Sequence, residues 1–528
     1  MSLLFFYAAS SALLLTLGFA PFSQAWAGWI ALIPLALCIG RKNVSLWQTA
    51  WLGFFFGAAH FLSSLFWLTE VSWAGWIALS LYLALYPTLW TLFWRLCVSP
   101  RYDSLANILR ALAGACAWTA LEWLRGALFT GFPWNMLGVT QHSIIPLIQI
   151  ADIGGVLLLS WLVVFVNLTF GLTLRRFWLE ARAQEPRKAH VDFFLAVALV
   201  ALAFTYGMHQ LNHPPLAKTS LRYLAIQPSI PQDPWRQTPT VPTLTKLRQL
   251  TATALSLQTE PPQLILWPET PIAASVFEEP FFTATVRELM KGQPFALLLG
   301  SDDYTLTQSF NSAVLLQREG ANAQVYHKNH LVIMGEYVPF TKIFPFLRKF
   351  VPSGTDFSAG EKTGLFEMAR EGNVLRLAPL ICFEDILPSL VRRAAQENPD
   401  LLVNLTNDGW FRHSAASRQH LHNALFRTIE LRRPMLRVTN NGVTAAISAF
   451  GIPHPVFNEN GDIHAAGFLT GNLPLPTAAP TIYQQWGDWI AYFSLLITIA
   501  TLVFLFCYEK NIASCHSRER SESGIQKH

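Results

Sequence analysis

Hydrophobic residues form long runs through the first 210 residues, and short polar connections separate the runs. Seven runs in this part, and an eighth near the C-terminus, have about the 20 residues that an α-helix needs to cross a bilayer. The eight runs cover residues 3–20, 24–40, 47–67, 72–96, 105–129, 154–174, 191–210 and 486–508. The pattern therefore predicts a multi-span α-helical membrane domain with eight spans.

The region between the seventh and eighth runs has a different pattern, in which short apolar runs alternate with segments of helical periodicity. Strands are predicted at residues 221–227, 263–269, 295–301, 312–317, 374–382, 400–407 and 435–448. Helices are predicted at residues 241–258, 279–291, 386–397 and 415–432. This mixture of strands and helices predicts an α/β domain in which helices cover the faces of sheets.

Lysine and arginine positions orient the predicted spans. The connections after the second, fourth and sixth runs contain basic residues, as does the C-terminal tail, whereas those at 20–24 and 68–71 contain none. The basic residues are Arg41, Lys42, Arg95, Arg101, Arg175, Arg176, Arg182, Arg187, Lys188, Lys510, Arg518 and Arg520. Because basic loops remain in the cytoplasm, both termini are predicted there and the α/β domain outside it.

The composition agrees with a membrane protein. Of the 528 residues, 52% are hydrophobic and 13% are charged, whereas about 25% of the residues of a soluble domain are charged. The net charge of +5 comes without a basic stripe interleaved with aromatic residues, so nucleic-acid binding is not predicted. The predicted units are a membrane domain of seven helices at 1–211, an extracytoplasmic domain at 212–484, an eighth helix at 485–509 and a cytoplasmic tail at 510–528.

A single cysteine, Cys382, lies in the predicted α/β domain, at the end of the apolar run in "VLRLAPLICFEDILPSL". Paired cysteines outside the cytoplasm usually form disulfides, so a lone one is either a small buried hydrophobe or a thiol with a chemical role. Cys382 ends a predicted strand and precedes a predicted helix, whose N–H groups favour a thiolate. Glu384 and Asp385 oppose this, so a reactive thiol here needs a base or a cation.

Two other segments contain such groups. Glu269 follows an apolar strand in "LILWPETPI", and Lys328 begins a run that ends at Glu336 in "VYHKNHLVIMGEYVPF". Neither signal is specific alone, because most glutamates at strand ends and most lysines beside histidine are solvated surface residues.

Taken together, the three segments resemble the nitrilase superfamily, whose sites use a Glu, a Lys and a Cys at separate strand ends. The ordered set "WPET", "KNHLV", "GEYVP", "CFE", "NLTNDGWF" and "TNNGVTA", with seven runs before it and one after, resembles bacterial apolipoprotein N-acyltransferases. "GALFTGFPWNMLG" also looks like that family. The resemblance implies a nitrilase-like αββα sandwich for the α/β domain.

The resemblance also implies a role for each residue. Glu269 becomes the general base, Lys328 the cation that stabilises the oxyanion, and Cys382 the nucleophile. Glu336, which orients Lys328, and Glu384 become supporting residues. The implied reaction transfers an acyl chain from a phospholipid, through a thioester, to the free α-amino group of the N-terminal diacylglyceryl-cysteine of apolipoproteins. It implies a multi-pass, monomeric protein of the bacterial inner membrane, with a periplasmic catalytic domain, no metal and no cofactor.

Four aromatic residues are predicted to line the substrate route: Trp235, Phe344, Phe346 and Trp410. Two of them belong to the loop "FTKIFPFLRKFV" at 340–351, in which apolar and basic residues are interleaved. Such a segment either lies at an anionic lipid surface and gates the site or folds down as a lid over the core of the domain.

Some polar residues have two readings. Glu122 and Arg125 lie in or near the fifth run, and a mutual i,i+3 ion pair near the outer interface is favoured over a role in substrate binding. His413, His420 and His422 suggest a metal cluster, but His420 and His422 are two apart on a predicted helix and face different sides. No metal site is therefore predicted.

Two other functions remain open. A membrane-tethered amidase that hydrolyses a C–N bond would share Glu269, Lys328 and Cys382, but the apolar loop and the eight spans favour a lipid substrate. A transporter or receptor should have polar pathway residues or broken helices in its spans, and Glu122 and Arg125 are the only candidates.

Overall fold

The N-terminal part of the chain is helical. The computed structural model describes residues 2–41, 43–98, 103–183, 189–232, 239–317, 322–339, 341, 356–361, 364–370, 372–455 and 462–525. The N-terminal helices are α1 (Ser2–Leu17), α2 (Ala25–Gly28), α3 (Ile33–Ile39), α4 (Leu46–Ser64), α5 (Trp73–Leu96), α6 (Ser104–Ala127), α7 (Ile145–Ile148), α8 (Ala151–Ala183) and α9 (Val191–Asn212). Three short 3-10 helices connect some of them, at Phe66–Glu70, Leu128–Thr130 and Leu137–Gln141.

Five helices in the described part of the chain are long and apolar enough to cross a membrane. They are Trp73–Leu96, Ser104–Thr130, Ala151–Ala183, Val191–Asn212 and Trp489–Cys507. The first predicted run forms α1, whose 16 residues extend about 24 Å, against about 30 Å for the hydrocarbon core. The second run is divided into α2 and α3, and Pro34, in the first turn of α3, favours a new helix start there. The count of eight spans remains a prediction.

Glu122 and Arg125 of α6 do not form the predicted ion pair. Glu122 Oε1 accepts a hydrogen bond from the Leu137 N–H at 2.8 Å, and Arg125 Nη1 donates to the Trp134 carbonyl at 3.0 Å. Both side chains are buried. The loop after α6 folds back over the helix and offers each charge its own backbone partner, which the i,i+3 spacing alone could not reveal.

The second part of the chain forms two sheets. The strands are β1 (Ala217–Gln227), β2 (Leu264–Leu266), β3 (Ala296–Tyr304), β4 (Ser309–Gln317), β5 (Asn322–His327), β6 (Phe366–Arg370), β7 (Asn373–Ile381), β8 (Leu401–Thr406), β9 (Met435–Thr439), β10 (Ala445–Ile447), β11 (Pro453–Pro455) and β12 (Gly467–Pro476). Among the described residues, each sheet has six strands, in the orders β12-β1-β2-β3-β4-β5 and β11-β10-β9-β8-β7-β6. The pairs β1–β2, β2–β3, β7–β8 and β8–β9 are parallel.

Helices cover the outer faces of both sheets. They are α10 (Thr240–Ser256), α11 (Pro280–Met290), α12 (Pro388–Ala395) and α13 (Ala416–Leu431), and they are followed by α14 (Ile482–Trp486) and α15 (Trp489–Ile525). Leu266 and Leu298 of the first sheet share a buried cluster with Leu377, Val403 and Val438 of the second, so the two sheets pack face to face. The result is an αββα sandwich.

The two outer layers differ in what lies beyond them. α10 and α11 pack on the first sheet in a cluster of their own, with Leu244 and Phe282 fully buried. Leu425 and Ile429 of α13 instead belong to the same buried cluster as Leu159 of α8. α13 therefore joins the sandwich to the membrane helices through a continuous apolar core, and each fully buried leucine there stabilises it by about 1.5–3 kcal/mol.

Candidate active site

Three polar side chains from separate strands meet at one edge of the sandwich. Glu269 follows β2, Lys328 follows β5, and Cys382 follows β7. Lys328 Nζ lies 3.5 Å from Glu269 Oε1, and the Glu269 carboxylate is hydrogen-bonded to the Cys382 thiol. The carboxyl ends of strands from both sheets thus bring together the three predicted residues, with the carboxylate in contact with both the thiol and the ammonium group.

Lys328 is held by two carboxylates. Its side chain is 1% exposed, and Nζ donates to Glu336 Oε1 at 2.8 Å. Asn311 Nδ2 donates to both Glu269 Oε1, at 2.8 Å, and Glu336 Oε1, at 2.9 Å. Burial lowers the pKa of Lys328, but the charges of Glu336 and Glu269 outweigh burial and raise it. Lys328 is therefore a fixed cation beside the thiol at neutral pH.

Cys382 occupies a strained backbone position. Its φ is +53°, which is uncommon for a residue with a side chain. The residue opens a 3-10 helix, Cys382–Ile386, directly after β7. Burial and the charge of Glu269 raise the pKa of the thiol, whereas Lys328 and a hydrogen bond with Thr406 oppose the rise. The resting thiol is protonated, so it can react as a thiolate only after a base takes its proton.

Glu269 suits that task. Burial raises the pKa of its carboxyl group, and the nearby charge of Lys328 opposes the rise. The side chain is 9% exposed, which leaves the carboxylate few water molecules to compete with the thiol. A base whose pKa is raised towards neutrality accepts a proton and later returns it more readily.

Glu384 ties two segments of the site together. Its Oε1 accepts hydrogen bonds from the backbone N–H groups of Asn329 and His330, at 2.7 and 3.0 Å. Its Oε2 accepts from the Ile381 N–H at 2.8 Å and from the Tyr326 hydroxyl at 3.0 Å. Burial raises the pKa of Glu384 to about 7, and Lys328 and the backbone donors oppose the rise. Glu384 thus fixes the segment after Lys328 against β7, the strand that ends just before Cys382.

Replacing Glu384 by glutamine is expected to destabilise the domain by about 2–4 kcal/mol, because the amide N–H₂ must face two hydrogen-bond donors. Thermal unfolding should show a lower midpoint, and modification of Cys382 should slow. Glu367→Gln is the matched control, since Glu367 is exposed on β6. An unchanged unfolding midpoint for Glu384→Gln would contradict the role of this carboxylate as a tie.

The membrane helices reach Phe383, the residue next to Cys382. The Phe383 ring stacks on Trp134 and Phe132 of the loop after α6, with centroids 6.2 and 6.0 Å apart. On the side of the catalytic segment, His330 stacks on Phe383 at 6.0 Å. An aromatic column therefore connects the membrane domain with the site.

Gln419, on α13, is a polar joint in the same region. Its Oε1 accepts from the Trp67 and Trp134 indole N–H groups at 3.0 and 2.8 Å. Its Nε2 donates to the carbonyls of Ala20 and Ser64 at 2.8 and 3.0 Å. One fully buried side chain of the sandwich thus satisfies groups from three separate segments of the membrane domain.

Two family models match the chain. The model of the apolipoprotein N-acyltransferase N-terminal domain matches residues 11–169, and the carbon-nitrogen hydrolase model matches residues 225–468. An apolipoprotein N-acyltransferase from Geobacter metallireducens is 32% identical over 507 residues, which cover 92% of both chains. One from Methylococcus capsulatus is 32% identical over 549 residues, 98% of both chains. The chain belongs to the apolipoprotein N-acyltransferase family.

The chain is also similar to a further relative and to solved structures. The apolipoprotein N-acyltransferase of Vibrio vulnificus is 31% identical over 92% of this chain and 94% of its own. A CN-hydrolase superfamily protein from Xanthomonas campestris has a TM-score of 0.35 and 19% identity, over 48% of this chain and 90% of its own. An amidase from Nesterenkonia sp. has a TM-score of 0.34 and 18% identity, over 52% and 95%. Family membership confirms the resemblance and the nitrilase-like fold of the second domain.

The predicted substrate-route residues are only partly placed in this N-acyltransferase family member. Trp235, Phe344 and Phe346 lie outside the described residues, as does nearly all of the loop at 340–351. Trp410 lies in the 3-10 helix Asp408–Phe411 and is 42% exposed. The ring of its neighbour Phe411 lies 4.7 Å from that of Trp67. The role of these residues in admitting substrate stays a prediction.

The three histidines that resemble a metal cluster have separate partners. His413 stacks on His464 at 4.3 Å, and His422 stacks on His142 at 3.6 Å. His420 instead lies between two aspartates. Sequence reasoning gave no role to His420, nor to Asn311 and Thr406 beside the thiol, because their partners come from distant segments. A polar Asn311 within the apolar strand "SFNSAVLLQ" was the one usable signal.

Proposed function

We propose that this chain is an N-acyltransferase that moves a fatty acyl chain from a phospholipid to the α-amino group of an apolipoprotein N-terminal diacylglyceryl-cysteine. The main support is that a thiol, a carboxylate and an ammonium group meet beside the membrane domain, in a chain that aligns along nearly its whole length with enzymes of this name. The arrangement suits a substrate that stays in the membrane while its ester carbonyl reaches Cys382.

The first half-reaction forms a thioester. Glu269 takes the thiol proton, and the Cys382 thiolate attacks the ester carbonyl carbon of the phospholipid. The developing oxyanion is stabilised by Lys328 and by backbone N–H groups near residue 383, and one such donor typically contributes about 3–4 kcal/mol. Collapse of the intermediate breaks the ester C–O bond. The leaving alkoxide takes the proton from Glu269 and departs as lysophospholipid.

The second half-reaction releases the acyl chain. The neutral amine of the diacylglyceryl-cysteine attacks the thioester carbonyl at the same oxyanion site. Its proton passes to Glu269, the C–S bond breaks, and an amide forms. The thiolate then recovers its proton from Glu269. The two half-reactions follow a ping-pong order, and neither needs a metal or a cofactor.

The proposed location follows from the two lipid-anchored substrates. The domain at 212–484 would lie on the periplasmic side of the bacterial inner membrane, with the seven helices of 1–211 before it. The helix at 485–509 would follow, with the tail at 510–528 and the N-terminus in the cytoplasm. The five long apolar helices support a membrane location, and the basic connections support this orientation. The chain would act as a monomer.

Mass spectrometry of the purified protein tests the proposal. After incubation with a phospholipid of defined acyl chains, the peptide that contains Cys382 should gain the mass of one acyl chain. Addition of a diacylglyceryl-cysteine peptide should then remove that mass and transfer it to the peptide. A lack of adduct with phospholipid, together with hydrolysis of small amides, would instead establish the amidase alternative. The absence of both an acyl adduct and amide hydrolysis would favour a transporter or receptor.

A further inference from the structure

A second group of buried charges lies behind the candidate nucleophile. His420 Nε2 lies 2.9 Å from Asp385 Oδ1, and His420 Nδ1 lies 2.9 Å from Asp408 Oδ1. Arg437 Nη2 lies 3.1 Å from Asp408 Oδ2, and its Nε lies 3.4 Å from Asp385 Oδ2. None of the four side chains is more than 1% exposed. We call these four residues the charge cluster.

The geometry defines the protonation of the histidine. A neutral imidazole has one N–H group, so it can donate to only one of two carboxylates. Both ring nitrogens of His420 face carboxylate oxygens at hydrogen-bonding distance, which requires the imidazolium form. Burial lowers the pKa of His420, but Asp385 and Asp408 outweigh burial and the charge of Arg437, and the pKa rises to about 9. The cluster therefore holds two negative and two positive charges at neutral pH.

The charge cluster connects the segments that hold Cys382. Asp385 belongs to the 3-10 helix that Cys382 opens. Asp408 follows β8, where Thr406 is hydrogen-bonded to the thiol and Asn404 Nδ2 donates to the Cys382 carbonyl at 2.9 Å. His420 is thus the bridge between the segment of the nucleophile and the strand that supports it.

The membrane domain also touches this bridge. The Trp134 ring lies 5.3 Å from the His420 ring, and the adjacent Gln419 binds the Trp134 indole. The same tryptophan stacks on Phe383. The imidazolium therefore lies between the membrane domain and the strained turn at Cys382.

We propose that His420 is a positioning residue for the acyl transfer, which keeps the charge behind Cys382 neutral and holds the strained turn in its reactive geometry. The proposal rests on the proposed function, because one of its two measurements is thioester formation with a phospholipid. It differs from a purely structural role because it predicts an electrostatic effect on the thiol. Without the imidazolium the cluster would have a net charge of −1, and the charge of Asp408 already opposes ionisation of Cys382.

Charged groups surround both the His420 imidazole and the Cys382 thiol. His420 is faced by Asp385, Asp408 and Arg437, and the thiol is faced by Glu269, Lys328, Asp408 and Arg437. Asp408 is the carboxylate that both sets share. A change of charge at His420 therefore reaches Cys382 through Asp408, without a change at Glu269 or Lys328.

The test compares H420Q with the double variant H420Q/D408N, in which Asp385 and Arg437 again balance each other. His422→Gln is the matched control, because it lies on the same helix but stacks on His142. Two rates are measured by mass spectrometry of the Cys382 peptide. One is alkylation by a small soluble thiol reagent as a function of pH, and the other is thioester formation with a phospholipid.

We expect H420Q to move the alkylation profile upward by about one pH unit, which lowers the rate about tenfold at every pH below the thiol pKa. Thioester formation should slow by at least as much. H420Q/D408N should recover most of both losses, and His422→Gln should match the wild type. If H420Q fails to fold, H420Q/D408N decides the question. An alkylation profile of H420Q/D408N that matches the wild type supports the proposal, and a profile shifted to higher pH overturns it.

Two results would refute the positioning role. In the first, H420Q reacts like His422→Gln in both assays. In the second, H420Q and H420Q/D408N form the thioester equally slowly, but the pH profiles of their alkylation match that of the wild type. His420 would then be a packing residue only. If the wild type forms no thioester, the proposed function fails, yet the alkylation profiles still decide the role of His420.

Discussion

Cys382→Ala is expected to abolish both thioester formation and acyl transfer while the protein stays folded in the membrane. The thiol is hydrogen-bonded to Glu269 and lies near the charge of Lys328, so it is the group that we expect to form the covalent acyl intermediate. Alanine removes one sulfur atom from a partly exposed position, so the loss of stability should be small. Incubation with phospholipid, followed by intact-mass measurement, should reveal no acylated protein.

Cys507→Ala is the matched control for this variant. Cys507 is exposed on α15 and lies far along the chain from the candidate site. Its replacement should leave the acylated fraction and the transfer rate unchanged. Normal turnover by Cys382→Ala would mean that the thiol is only a core residue, and the whole mechanism would then be wrong.

Glu269→Gln should give the second largest effect, a fall of about 10²–10⁴-fold in the rate of thioester formation. The amide keeps the shape of the side chain but cannot accept the thiol proton. The pKa of this thiol is raised, so little thiolate exists without a base. Single-turnover acylation of Cys382, followed by quenching and mass analysis, measures the rate directly.

The pH dependence provides a second criterion for Glu269. Only the carboxylate accepts a proton, so the wild-type acylation rate should rise with pH through the pKa of Glu269, which burial raises. Below that pKa the rate should fall about tenfold per pH unit. Glu269→Gln should lack this limb, whereas Glu288→Gln, at an exposed glutamate that pairs with Arg248, should keep it. An acidic limb that persists in Glu269→Gln would assign the base to another group.

Two of the strands that carry the candidate site, β2 and β7, were predictable because each contains a buried apolar run. Glu269 and Cys382 closely follow these runs, whereas Lys328 follows β5, an edge strand that was not predicted because polar residues interrupt it. The other edge strands were not predicted either. β11 contains two prolines in three residues and β12 contains both glycine and proline, which are typical of turns. The predicted strand at 435–448 is two strands, β9 and β10, paired antiparallel.

Contacts between distant segments were beyond the reach of periodicity. His420 and Asp385 are 35 residues apart, and Gln419 and Trp67 are 352 apart. The hydrophobic pattern predicts which face of α13 is buried. It does not predict that polar residues on that face form hydrogen bonds with other segments.

The polar joint at Gln419 has a consequence for the modularity of the protein. If the αββα sandwich were cut out of the chain, it would lose the contacts that the N-terminal helices make with it. Gln419 would then lose its partners from the membrane domain, and the apolar side chains of α13 around it would face water. An excised fragment would expose a hydrophobic, aggregation-prone surface directly behind Cys382. Here the membrane helices form one wall of the candidate site, and the two parts of the chain depend on each other to bury their apolar surfaces.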